Sequence, residues 1–65
     1  METRLKKARV SAGFSQAHVS KEARLSDLGY RNYETGKRLP RVDTAIIIAK
    51  ALGTTVEAIW GQGRG

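Results

Sequence analysis

Cysteine is absent from this chain, so neither a disulfide nor a thiolate can reinforce it. With His18 as the sole histidine, a structural zinc site of the Cys/His kind is excluded, and His18 reads as a surface residue rather than a ligand. The same scarcity leaves no nucleophile, base and acid set to assemble. The carboxylates are dispersed, so no catalytic residue, metal or cofactor is expected and the chain reads as a non-enzyme. The longest apolar run, Ala45 to Ala49, is far too short to cross a bilayer. The start, Met-Glu-Thr-Arg, is followed by no apolar stretch of the secretory type, and with the lack of cysteine this leads to an expectation of a cytoplasmic protein without membrane contact. No alternating stretch argues for a strand.

What is present is charge of one sign. Twelve Lys and Arg face six Asp and Glu, a formal net charge of +6, in a chain of 65 residues. Arg4, Lys6, Lys7 and Arg9 come with no acid among them, and Arg31, Lys37, Arg38 and Arg41 surround only Glu34. Such a balance favours an anionic partner, most commonly nucleic acid. The bases of the first cluster, Arg9 excepted, read as a solvated face. The length allows one domain with a modest core, burying roughly 60% of the surface of its unfolded chain.

Gly, Pro and capping residues divide the sequence into five short helices, an all-α class. The first spans Thr3 to Ala12, with Leu5, Ala8 and Ala12 recurring at helical spacing and Gly13 as its stop. Ser15 caps a second, Gln16 to Ala23, with Val19 and Ala23 on one face and Phe14 placed to staple against Val19. Arg24 and Leu25 connect it to Ser26, the cap of a third helix from Asp27 to Tyr33 or Glu34. There Tyr30 and Tyr33 fall inward, where core packing is a better reading than stacking on bases, and Asp27, Leu28, Arg31 and Asn32 fall outward. After Thr35 and Gly36 comes a basic loop, Lys37 to Arg41, with the single Pro40. A fourth helix runs from Val42 to Leu52, closed by Gly53, and Thr55 caps a fifth, Val56 to Trp60. The tail 61–65 is too rich in glycine to pack and is expected to fray, or to be a cut linker if the chain is a fragment. Its glycines imitate phosphate-binding or arginine-glycine patterns, but the flanking strand, helix or repetition those need is missing.

Two capped helices joined by so short a turn match the spacing of a helix-turn-helix. The sequence Phe14-Ser15-Gln16, Val19, Leu25-Ser26, Tyr33-Glu34-Thr35-Gly36-Lys37-Arg38, Pro40 and Ala49-Lys50-Ala51-Leu52-Gly53 resembles the lambda-repressor-like, or Xre-type, family of bacterial and phage DNA-binding domains, from about Leu5 to Trp60. The resemblance implies a compact five-helix fold over residues 1–60, with the helix-turn-helix formed by helices 2 and 3. It also implies that the third helix enters the major groove of double-stranded DNA and that the protein binds a near-palindromic operator as a homodimer. Carried over by position, Asp27, Leu28, Arg31 and Asn32 are the base-contacting residues. Ser15, Gln16, Gly29, Lys37, Arg38 and Arg41 are the phosphate contacts. Arg9 and Glu34 match a structural ion pair that costs on the order of 3–5 kcal/mol to break if well buried.

Each of these positions has a plainer reading. Asn32 either pairs with an adenine edge or is merely solvated; Asp27 either accepts from cytosine or serves its own helix end. Arg31 meets guanine or phosphate, or stays a surface charge; Leu28 meets a thymine methyl or nothing. Three positions depart from the family. Arg24 stands where the turn often has Gly, so either it is left-handed or the turn differs. Gly29 interrupts the third helix, which a close approach to DNA would explain. Ile47 replaces a commonly polar position and, with Ile59 and Trp60, is a candidate dimer contact, although core closure is the other reading of the last two. Two functions stay open: a transcriptional regulator, most simply a dimeric repressor, or an interaction module of antitoxin or adaptor type whose main partner is a protein.

Overall fold

The computed structural model describes residues 3–61. Five helices occupy them: α1 Arg4–Ala12, α2 Gln16–Glu22, α3 Asp27–Glu34, α4 Val42–Ala51 and α5 Val56–Trp60, and there is no strand among the described residues. Each helix is short enough to be unstable alone. Their ends are therefore fixed locally. Thr3, Ser15, Ser26 and Thr55 all stand in extended backbone and accept, through the side-chain oxygen, the N–H three residues on, at 3.0–3.1 Å. Such caps are typically worth about 1 kcal/mol each. Thr3 thus precedes α1 instead of opening it, and its hydroxyl also donates to the Glu34 carbonyl at 2.6 Å, tying the start of α1 to the end of α3. Arg41, before α4, supplies no side-chain cap.

Helices α1 to α4 are each followed by a left-handed residue, Gly13, Arg24, Gly36 and Gly53, whereas α5 ends on Gly61 in extended backbone. After α2, Arg24 N–H donates to the Lys21 carbonyl and Leu25 N–H to the Ser20 carbonyl, the paired bonds of a Schellman ending. The same pair of bonds follows α1 at Gly13 and α4 at Gly53. At the corresponding place after α2, however, the residue is Arg24, with φ +60°. The turn therefore keeps the usual geometry at the expense of a left-handed side-chain-bearing residue.

The core is built from one or two residues per helix: Leu5 of α1, Val19 and, just past its end, Ala23 of α2, Tyr30 of α3, Ile48 and Ala49 of α4, Leu52, and Ile59 of α5. Ala12, expected on the inner side of α1, is the last residue of that helix and is exposed. Ile59 is 4% exposed and fills the core, so it offers no contact surface. Phe14 packs partly against the core as well, and its outer face stacks on exposed His18, ring centroids 4.5 Å apart. Gly61 belongs to the fold rather than to a loose tail: Arg4 Nη1 donates to its carbonyl at 2.7 Å, and an added Cβ would lie 2.4 Å from the Glu57 carbonyl oxygen. Residues 62–65, the rest of the expected tail, lie outside the described residues. Among the described residues no helix is long and apolar enough to cross a membrane.

Candidate nucleic-acid interface

The recognition candidate α3 is two-faced. Tyr30 and Glu34 are buried and Tyr33 is half-buried on one side. Leu28, Arg31 and Asn32, spaced by three and four residues, lie together on the other, with Leu28 65% exposed, Arg31 exposed and Asn32 partly so. Beyond its C-terminus the loop carries Lys37, Arg38 and Arg41, all exposed. Arg41 approaches Asp43 at 3.9 Å, but both side chains are mostly in water, so this pair neither holds nor neutralises the loop appreciably.

The buried end of α3 is organised around Glu34. Arg9 presents its guanidinium fork, Nε to Oε2 at 2.7 Å and Nη2 to Oε1 at 3.1 Å, while its remaining Nη1 donates to the Phe14 carbonyl at 2.8 Å. Gln16 Nε2 donates to the same Oε1 at 2.8 Å. Burial opposes ionisation of Glu34, but the hydrogen bonds from Arg9 and Gln16 and the charge of Arg9 outweigh it and hold the carboxyl below its usual range. The hydrogen bond with Glu34 is also the main reason the Arg9 guanidinium is raised further, against its own desolvation. Tyr30 lies beside this pair. Burial first, then its close approach to Glu34, pushes its hydroxyl well above the ordinary tyrosine range, although that approach falls short of hydrogen-bond geometry and leaves the buried Oη without a partner.

The start of α3 is held as well. Ser20, 1% exposed on α2, donates its hydroxyl to Asp27 Oδ1 at 2.7 Å. Its 3.1 Å approach to the Ala17 carbonyl is the weaker alternative for the single hydroxyl hydrogen. Asp27 is exposed, yet one of its oxygens is committed to fixing α3 against α2. The Ser20 bond is not visible in the linear pattern, although a small polar residue beside Val19 on an inner face signals the need for a partner. Gly29 also departs from expectation. It is half-buried, its N–H already donates to Ser26 Oγ at 3.0 Å, and an added Cβ would come within 2.9 Å of that oxygen. The amide is therefore occupied by the cap and not available to a phosphate.

A family model described as helix-turn-helix matches residues 5–59, which is most of the chain. The chain belongs to the lambda-repressor-like helix-turn-helix family. Its five helices are that family's all-α architecture, and the family is one of DNA-binding domains of the transcription-regulator type, not of enzymes. No curated protein and no solved structure matches the chain. Within the helix-turn-helix, α2 and α3 are the paired helices and α3 stands in the recognition position.

The three residues expected at a dimer contact are not one patch. Ile47 is 46% exposed on α4, Ile59 is in the core, and Trp60 is half-buried. Trp60 instead lines an apolar groove of about 240 Å³ with Leu39, Pro40, Val42, Ala45 and Val56. Leu39 and Val42 at its edge are 79% and 75% exposed.

Proposed function

We propose that this domain is the DNA-reading part of a repressor that binds a palindromic operator as a homodimer, inserting α3 into the major groove. The observation that carries the reading is the outward face of α3. Leu28, Arg31 and Asn32 form one exposed stripe on a helix whose other side is anchored by Tyr30 and Glu34, beside an uncompensated basic loop. In this reading Asn32 pairs with adenine, Arg31 with guanine, and Leu28 packs on a thymine methyl. Asp27 accepts from cytosine with the carboxylate lone pairs that the Ser20 hydroxyl leaves free. Lys37, Arg38 and Arg41 meet phosphates, and Ser15, whose oxygen accepts from His18 N–H, keeps its own hydroxyl hydrogen for a phosphate oxygen.

The dimer part of the reading rests on the groove. Leu39 and Pro40 belong to the same loop as Lys37, Arg38 and Arg41, so a second copy docked there adjoins the basic surface. The knobs Leu39 and Val42 beside a hollow floored by Ala45, Val56 and Trp60 suit an isologous contact.

Selection from a random duplex library tests both parts. A recurrent palindrome, bound much more tightly than scrambled DNA, is the expected result. Asn32→Ala and Arg31→Ala should each relax preference at one base position by about 1–3 kcal/mol. Equal losses on every sequence would show that α3 does not read bases, and a salt-resistant stoichiometric protein partner with no selected motif would favour the interaction-module reading.

A further inference from the structure

Glu34 has more partners than an ion pair needs. Its Oε1 accepts from both Arg9 Nη2 and Gln16 Nε2, and Gln16 is the first residue of α2, on the helix-turn-helix but far from α3 in sequence. A carboxylate only accepts, so the orientation of the Gln16 amide is fixed: Nε2 faces Glu34, leaving one Nε2 hydrogen and Oε1 for other partners. Glu34 cannot itself reach a ligand, being 3% exposed, and its position is held by the Arg9 fork and by the Thr3 hydroxyl on its carbonyl.

We propose that Glu34 is a positioning residue for DNA binding: it holds the Gln16 side chain in one rotamer in the absence of DNA, so that the remaining Nε2 hydrogen is aimed at a backbone phosphate before the duplex arrives. This rests on the DNA-reading function proposed above. A glutamine otherwise loses its rotamer freedom on binding, and its prior immobilisation is gained as affinity, on the order of three- to tenfold. Because Gln16 carries no charge, its contact releases no counterion, and losing it lowers affinity without changing the salt dependence. That separates it from Lys37 and Arg38.

Two measurements test the proposal. In the DNA-free wild type, 15N relaxation of the Gln16 side-chain amide should report order close to that of the α2 backbone. An order parameter as low as that of a freely rotating glutamine side chain overturns the proposal without any variant. Then Glu34→Gln, Gln16→Ala and the double variant are titrated with the duplex recovered by wild-type selection. If Glu34 acts through Gln16, Glu34→Gln weakens binding of the otherwise wild-type chain roughly three- to tenfold and has no further effect once Gln16 is Ala. Additive losses overturn the positioning role while leaving DNA binding intact; wild type that recovers no duplex removes the underlying function and the proposal together. If Glu34→Gln does not fold, the wild-type relaxation result decides.

Discussion

At the scale of single residues, the two unusual positions are Arg24 and Glu34. Arg24 holds a left-handed conformation at φ +60°, which costs a side-chain-bearing residue about 1–2 kcal/mol, whereas glycine loses roughly 0.4–1 kcal/mol through the greater freedom of its unfolded chain. Arg24→Gly is therefore expected to stabilise the domain by about 0.5–1 kcal/mol, seen as a rise of a few degrees in Tm. A fall would mean that the Arg24 side chain makes a compensating contact. Glu34 makes stability depend on acidity. Its folded carboxyl titrates below the ordinary value, so its contribution is fully present above the unfolded pKa of about 4.3 and is lost as pH falls through the lower folded value. Urea midpoints followed downward from neutral pH should hold until roughly pH 4–5 and then drop, and Arg9→Met should destabilise the neutral form by about 3–5 kcal/mol by leaving Glu34 buried without its cation. Loss of under 1 kcal/mol in Arg9→Met would show that the pair is dispensable.

At the scale of elements, α3 is clamped to α2 at both ends, by Ser20 with Asp27 at its start and Gln16 with Glu34 at its end. The cap at Ser26 and the gap left by Gly29 act as a unit. Ser26→Ala should cost about 1 kcal/mol in thermal or urea unfolding. Gly29→Ala, which in an exposed helix interior gains about 1 kcal/mol, should gain little here because the new methyl displaces Ser26 Oγ. A full gain would mean that Ser26 moves without loss. The helices themselves were legible in the sequence because their determinants are local: Ser15, Ser26 and Thr55 as caps, Gly13, Gly36 and Gly53 as stops. The clamps were not. Gln16 meets Glu34 and Ser20 meets Asp27 only through the angle between α2 and α3, and a phosphate contact for Gln16 is implied by the family resemblance alone. The face of α5 was equally hidden, since five residues are too few for a periodicity to separate buried Ile59 from half-buried Trp60.

At the scale of the whole molecule, the excess of positive charge has a thermodynamic signature. If Lys37 and Arg38 each neutralise a phosphate, Lys37→Ala should weaken binding to all duplexes alike and reduce the slope of log affinity against log salt by about one. An unchanged slope would remove the loop from the interface. The groove makes a second prediction: Leu39→Lys should abolish cooperative occupation of a palindrome while half-site binding persists, as followed by gel shift, and retained cooperativity would place the dimer contact elsewhere. Composition, caps, glycine stops and motif spacing were enough to determine the five helices, the helix-turn-helix and the positive charge, because each depends on neighbours within a few residues or on a sum over the chain. Only the tertiary structure decided that Gly29 serves a cap, that Ile59 is core, that Trp60 borders a groove and that Gln16 answers to Glu34. Those outcomes depend on which faces of separate helices meet, and that is settled by packing in three dimensions.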